Sequence, residues 1–492
     1  MTTPDTIVSE RTVGQDAWRE ATQRLAAGEA RLVSLWADGA EARMALSSPG
    51  RADLELVSRP CVDGRFPSVG AAHPAAIRLE RALCDLHGFV AVGARDKRPW
   101  LDHGRWPIRH PLGAGEQNAD APAPYAFLAA EGPGLHQIPV GPVHAGIIEP
   151  GHFRFHASGE TIVRLEERLG YVHKGVDRLM SGAELARGAE LAGRVSGDST
   201  VAYQIAFARA AEAALGIAVP RRAHWLRGLM AELERLANHL GDIGAICNDA
   251  SFSLMHAHCG ILRERVLRAA KQAFGHRLMM DAVAPGGVAV DLAPDARQGL
   301  RDLVAQVRDR FPRLVELYDN TASLQDRTVR TGVLDGELAR SFGCGGVIGR
   351  ASGQAFDARH DHPYAPYDEL RFEAPVLREG DVNARVWVRI REIEESLRLV
   401  TQVVDRLPAG PVRVEPGASG GSGEGYALVE GFRGDVFVSI RLDSNGKIAR
   451  CHLRDPSWFQ WPLLEAAIEG NIVADFPICN KSFNCSYSGH DL

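Results

Sequence analysis

Four long stretches carry apolar residues at spacings of three and four. They fix the centre of this chain as a bundle of helices. Residues 221–246 are the clearest, with Leu226, Leu229, Met230, Leu233, Leu236, Ala237 and Leu240 on one broad face. Residues 253–280 continue the pattern. Residues 295–321 begin at Asp295, a candidate N-cap, and carry Leu300, Leu303, Val304, Val307, Phe311 and Leu314. Residues 381–406 form the last long helix. Shorter helices are expected at 176–181, 183–192 and 198–215. Such a bundle places ligand positions at facing helix ends.

Strand-like segments flank the bundle. Residues 31–36, 43–46 and 54–57 alternate or are apolar enough for strands, between a helix at 16–25 capped by Asp16 and a helix at 75–86. A β-hairpin should turn at 158–161, with Phe153 and Phe155 on one strand and Ile162, Val163 and Leu165 on the other. Three further strands are read at 426–429, 436–442 and 448–453, after a Gly- and Pro-rich loop at 408–425. The fold class is therefore α+β. The division expected is a small α+β domain over 1–112, a Gly/Ala/Pro-rich linker over 113–134, and a large helix-bundle domain with flanking β-sheet over 135–492.

Length and composition exclude several functions. A chain of 492 residues is too long for one core. A net charge of −6 gives no basic face for nucleic acid. No run approaches the roughly 18 apolar residues of a membrane span. Met1 to Glu10 lack a basic segment followed by an apolar one, so no signal peptide is expected. The eight cysteines, at 61, 84, 247, 259, 344, 451, 479 and 485, form no C-x-x-C pair. They are expected as reduced, buried, structural thiols in a cytoplasmic protein.

Several ordered motifs carry a family resemblance. Gly141-Pro-Val-His-Ala-Gly-Ile-Ile-Glu-Pro-Gly-His-Phe-Arg-Phe155 resembles the opening of the large subunit of membrane-bound group 4 [NiFe] hydrogenases. The segments 169–179, 220–227, Arg235-Leu-Ala-Asn-His239, Pro285-Gly-Gly-Val288, 326–333 and Asp368-Glu-Leu-Arg-Phe372 are similar both to that subunit and to the 49-kDa (D) subunit of respiratory complex I. Glu80 to Gly88 and Trp106 to Pro111 resemble the complex I 30-kDa (C) subunit more weakly.

The resemblance implies an oxidoreductase subunit, of NADH:quinone oxidoreductase or hydrogenase type, acting at the interface with an iron–sulfur small subunit. It implies antiporter-like membrane subunits as further partners, with electron transfer coupled to ion translocation. The place implied is peripheral, on the inner face of the cell membrane. A 4Fe–4S cluster would belong to the small subunit, NAD to the complex, and a quinone is a candidate ligand.

The nickel-ligand boxes of that family look emptied. Arg194-Val-Ser-Gly-Asp-Ser199 and Asp455-Pro-Ser-Trp-Phe-Gln460 resemble C-x-x-C pairs with Ser196, Ser199, Ser457 and Gln460 in the ligand positions. Hydroxyls and an amide are poor ligands for a soft metal, so no directly bound metal is expected. Locally, Ser196 or Asp198 would serve as a helix N-cap.

Of the loop residues His144, Glu149, His152 and Arg154, the resemblance implies proton handling or contact with a quinone headgroup. The tyrosine that would complete a quinone site falls at Gly197, and Tyr203 should face elsewhere. Lys174 and Arg194 would lie near the neighbouring cluster, where a cation stabilises the reduced form. Glu430 and Arg433 would line the buried cavity. The histidines at 224, 239, 256, 258 and 276 are expected as core or interface groups. Three readings remain open on the sequence: a redox subunit without nickel, a non-catalytic scaffold, or a working [NiFe] subunit.

Overall fold

A computed structural model describes residues 8–117, 123–145, 147–415 and 422–492. The long helices form at Arg221–Asp249, Ser253–Phe274, Ala296–Asn320 and Val382–Arg406. Their apolar faces bury Leu229, Leu233, Leu240, Leu300, Val307, Ile393 and Val400 in one core. Each fully buried aliphatic side chain contributes about 1.5–3 kcal/mol by leaving water. The second helix ends six residues before the expected limit because Gly275 caps it at φ 82°, a conformation that favours glycine. Asp295 precedes the third helix but its side chain makes no capping bond, whereas Asp381 accepts from Ala384 N at the start of the fourth.

Among the described residues, three sheets of three or four strands flank this bundle, beside three two-stranded pairs. The first runs in the order Val8–Thr12, Leu54–Pro60, Glu41–Ser47, Arg31–Asp38. Its first pair is parallel and the others antiparallel. Helices Gln15–Ala26 and Ile77–His87 cover it, the first with Gly14, not Asp16, at the N-cap. The second sheet joins Thr161–Arg168, His152–Ser158 and Leu135–Val140, all antiparallel. Phe153, Phe155, Ile162 and Leu165 are buried there, while Val163 points outward and is 45% exposed. The pairing shifts register there, with Arg164 opposite His156 and Ile162 opposite Ala157, so Val163 is the extra residue of a β-bulge.

The third sheet is Gly423–Glu430, Asp435–Leu442 and Ile448–Arg454. Helix Thr200–Leu215 lies directly on it. A Cβ at Gly425 would stand 2.0 Å from the Ala210 carbonyl oxygen, so only glycine permits this approach.

The first sheet is docked on the third through buried polar bonds. Arg454 Nε donates to Val33 O at 2.7 Å, Ser34 Oγ meets His452 Nε2 at 2.8 Å, and Trp36 stacks on His452 at 5.1 Å. Trp18, Leu35 and Leu79 from residues 8–112 share a core with Phe153, Trp461 and Tyr487. The N-terminal residues therefore form one wall of the large domain. Cys61, Cys247, Cys259, Cys344, Cys451, Cys479 and Cys485 are buried free thiols, and Cys84 is half-buried. Among the described residues no helix is long and apolar enough to cross a membrane.

Candidate functional site

The two serine-bearing segments come together, with a third segment between them. Ser196 Oγ donates to Asp198 Oδ1 at 2.7 Å and lies 3.0 Å from Ser486 Oγ. Ser486 N donates to Ser457 Oγ at 2.8 Å. Gln460 Nε2 donates to the Arg433 carbonyl oxygen at 2.8 Å. Ser457 and Gln460 thus sit one layer behind, and the residues facing Ser196 and Ser199 are Ser486 and Arg433. Ser486 caps the short helix Tyr487–Asp491, accepting from Gly489 N at 2.9 Å.

Arg433 fills the centre. Its guanidinium donates to both Asp198 carboxylate oxygens, at 2.9 and 2.5 Å, to Ser199 Oγ at 3.1 Å and to Asn484 O at 2.5 Å. Burial pushes the Asp198 carboxyl up, but the Arg433 charge outweighs it and brings the group down to about 2. Neither Ser196 nor Asp198 caps the helix that follows. Glu234 does so from the neighbouring helix, accepting from Val201 N at 2.7 Å and Ala202 N at 3.1 Å. Burial raises Glu234 to about 8 despite those two bonds.

The donor set here does not fit a nickel–iron centre. Three of the groups that face one another are hydroxyls. The fourth position of the Ser486-x-x-Gly489 spacing has no side chain, and a Cβ there would lie 2.4 Å from Asp455 Oδ2. Asp198, the anion, is engaged by Arg433. Among the described residues no group of three or more His, Cys, Asp or Glu could hold a metal. Tyr203 points at this layer, donating to Asp455 Oδ2 at 2.6 Å.

The four loop candidates divide between two places. His144 Nε2 lies 3.3 Å from Tyr487 OH, and Glu149 Oε2 accepts from Ser488 N at 3.0 Å, so both touch the helix behind Ser486. His152 and Arg154 line a separate cleft, with Arg154 Nε donating to His152 Nε2 at 3.3 Å. Burial lowers both His144 and His152, which favours neutral imidazoles.

Lys174 Nζ donates to Val195 O at 3.1 Å, beside the first serine pair, and burial lowers its pKa. Arg194 points outward to Asp281, at 2.8 and 2.7 Å. Glu430 and Arg433 do not pair with each other. Glu430 accepts from Arg350 Nη1 and from Ala358 N, both at 3.0 Å, and burial raises it to about 7. Of the helical histidines, His239 is fully buried and bonds Glu392 at 2.6 Å. His224 is half-buried, and His256 and His258 are exposed, as is His276, which lies beyond the Gly275 cap and not on the helix.

Sequence reasoning missed Ser486, Asn484 and Asp242. Asn484 Nδ2 donates to Asp242 Oδ1 at 2.8 Å and thereby fixes the segment that enters the site. The available signal was Ser486 three residues before Gly489, the same spacing as Ser196 and Ser199.

A family model described as respiratory-chain NADH dehydrogenase, 49 Kd subunit, matches residues 250–420 and 413–491. Formate hydrogenlyase subunit 5 of Escherichia coli K12 is 34% identical over 439 residues, 87% of this chain and 77% of that protein. The chain belongs to this family. Hydrogenase-4 component G of the same organism is 32% identical, over 91% of this chain and 80% of that one. The C/D polypeptide of the NADH-quinone oxidoreductase of Bacteroides thetaiotaomicron is 30% identical, over 83% and 82%. In three dimensions the chain is similar to a chain of the membrane-bound sulfane sulfur reductase, an archaeal respiratory membrane complex. The TM-score is 0.69 at 28% identity, covering 73% of this chain and 98% of that one. These relatives are subunits of complex I-like, hydrogenase and respiratory membrane complexes, and the α+β architecture is that of the 49-kDa-like fold.

Proposed function

We propose that this chain is the nickel-free large subunit of a membrane-associated, complex I-like redox complex. It works against an iron–sulfur small subunit and antiporter-like membrane subunits, at the inner face of the cell membrane. The observation that carries the reading is the Arg433–Asp198 ion pair wedged among Ser196, Ser199 and Ser486. It leaves the family fold intact while an ion-paired polar centre stands where a soft-metal site would be.

The loop between Val140 and His152 supports an interface role. Val143 and Ile147 are 83% and 98% exposed at its tip, while Glu149 and His144 reach back to the polar centre. A partner covering that tip would bury both apolar side chains and bring its redox group towards Lys174 and His144. The partner's cofactor is a 4Fe–4S cluster in this reading, and a quinone is the acceptor.

The test is electron transfer from reduced viologen to a quinone analogue in membranes that carry the assembled complex. Replacing His144 and Glu149 by glutamine should cut the rate at least tenfold, on the scale of a lost proton-handling group, with assembly unchanged. An unchanged rate overturns the reading. A second reading, a scaffold in which no electron ends, is favoured by one observation: every hydroxyl at the centre is already bonded within the chain. Failure of the assembled complex to bind any quinone analogue would favour the scaffold.

A further inference from the structure

The joint between the N-terminal residues and the large domain carries buried polar groups that the protein itself does not satisfy. Trp36 and His87 reach it from the N-terminal side, and Asp177, Arg450 and His452 from the other. Arg450 holds the two sides together. Its Nη1 donates to Asp177 Oδ2 at 2.9 Å, and its Nε donates across the joint to Ala37 O at 3.2 Å. Trp36 Nε1, both ring nitrogens of His87 and Asp177 Oδ1 are buried and have no hydrogen-bond partner among the described residues. Trp36, His87 and Asp177 are 2%, 7% and 4% exposed. Each such atom left unpaired costs free energy, so several around one space call for a ligand that bonds them.

Those three residues line one cavity of about 30 Å³, whose remaining walls are mostly leucine and alanine, among them Leu35, Leu79 and Leu83. A water molecule takes up about 10–15 Å³ of such a cavity, so there is room for about two. A purely apolar cavity stays dry, and one with two to four polar partners holds water. Burial and the Arg450 charge push the His87 imidazole down to about 3, so it is neutral, with one donor and one acceptor nitrogen. Trp36 adds a donor and Asp177 an acceptor.

We propose that this cavity binds ordered water, about two molecules, hydrogen-bonded to Asp177 Oδ1 and to at least one nitrogen of His87. The water thereby joins the N-terminal residues to the large domain. Mixed donors and acceptors suit a ligand that both gives and takes hydrogen bonds. An anion would meet the Asp177 carboxylate, and a cation would find a single oxygen to bind. His173 lines both this cavity and the cleft that holds His152 and Arg154, and that is the side from which water enters. The site is separate from the hydroxyl-lined centre and does not require the redox reading above.

The experiment is a crystal structure of the full-length protein at a resolution that shows ordered water. Density peaks are expected within about 2.7–3.2 Å of Asp177 Oδ1 and of a His87 nitrogen. Xenon pressed into the same crystals should stay out of the cavity, because xenon enters dry apolar spaces. In solution, His87→Leu removes the donor and the acceptor at similar volume, and His87→Gln keeps one of each. His87→Leu should lower the thermal midpoint by about 2 °C or more, and His87→Gln by less. In a dry cavity the order reverses, since leucine would remove unpaired polar groups. Absence of density at both atoms overturns the proposal, as does xenon in the cavity. So does a midpoint for His87→Leu equal to or above that of His87→Gln. Where His87→Leu does not fold, the water density and the xenon result decide.

Discussion

Arg350 and Arg168 are both buried arginines, 0% and 2% exposed, and they live in opposite surroundings. Arg350 donates to Glu392 at 3.0 and 2.5 Å and to Glu430 at 3.0 Å, with Asp357 at 3.3 Å. The lattice continues through Arg359, which donates to Asp357 at 2.7 Å and to Glu232 at 3.2 Å. Arg168 has aromatic rings and a single carbonyl. A buried cation with three carboxylates is a structural joint, because each charge cancels the desolvation cost of the next. A buried cation without a carboxylate keeps its desolvation cost, so it holds nothing together by charge. The contrast separates a buried cation that joins elements of the fold from one that is only enclosed by them.

The largest effect that could break the contrast comes from the joint. Arg350→Met should destabilise the protein by about 3–5 kcal/mol, since it strands buried carboxylates. Urea denaturation measures it, and a loss under about 1 kcal/mol would place the lattice among weak surface pairs.

The second is a pH effect at Glu234. Its folded pKa of about 8 lies above the ordinary 4.5, so the folded state holds the proton more tightly than the unfolded one between those values. Stability from this group is greatest below pH 4.5 and declines as pH rises through about 8. Glu234→Gln cannot ionise and keeps one acceptor for Val201 N or Ala202 N. It should remove a decline on the order of a few kcal/mol, read as a flatter midpoint-versus-pH curve between pH 5 and 9. An unchanged curve would show that another group titrates there.

Gly489→Ala comes third. Its Cβ would meet Asp455 Oδ2 at 2.4 Å and Ser486 Oγ at 2.9 Å, so a loss of about 1–3 kcal/mol is expected from overpacking. A neutral substitution would mean that the Tyr203–Asp455 layer yields easily.

The smallest effect sharpens the comparison from the other side. Arg168→Gln should change stability by less than about 1 kcal/mol, or raise it, because no ion pair is broken. A large destabilisation would make Arg168 a joint like Arg350.

The long helices were legible because their periodicity runs for many turns. The expected 221–246 and 381–406 stand against Arg221–Asp249 and Val382–Arg406. Strands Val8–Thr12 and Leu135–Val140 were not legible. Both are short and contain no buried residue, Val8–Thr12 is mostly polar and Leu135–Val140 is interrupted by Pro139, and their partners rather than their own pattern make them strands. The emptied first pair could be read from Ser196 and Ser199 alone. What faces it could not. Asp455-Pro456 gives a recognisable local spacing, but Ser486 is placed by tertiary contacts of Asn484 and Ser457 that no local pattern encodes. Glu430 and Arg433 lie three residues apart and were expected to line one cavity. Strand geometry sends Glu430 to Arg350, while the turn after it sends Arg433 to Asp198.

Nickel content of the complex, purified without oxygen from its native membranes and counted per copy of this chain by mass spectrometry, tests the central claim most directly. Nickel well below one atom per chain is predicted, since Arg433 and three hydroxyls stand where soft ligands would be needed. One nickel per chain, lost on Ser196→Ala or Ser486→Ala, would contradict it.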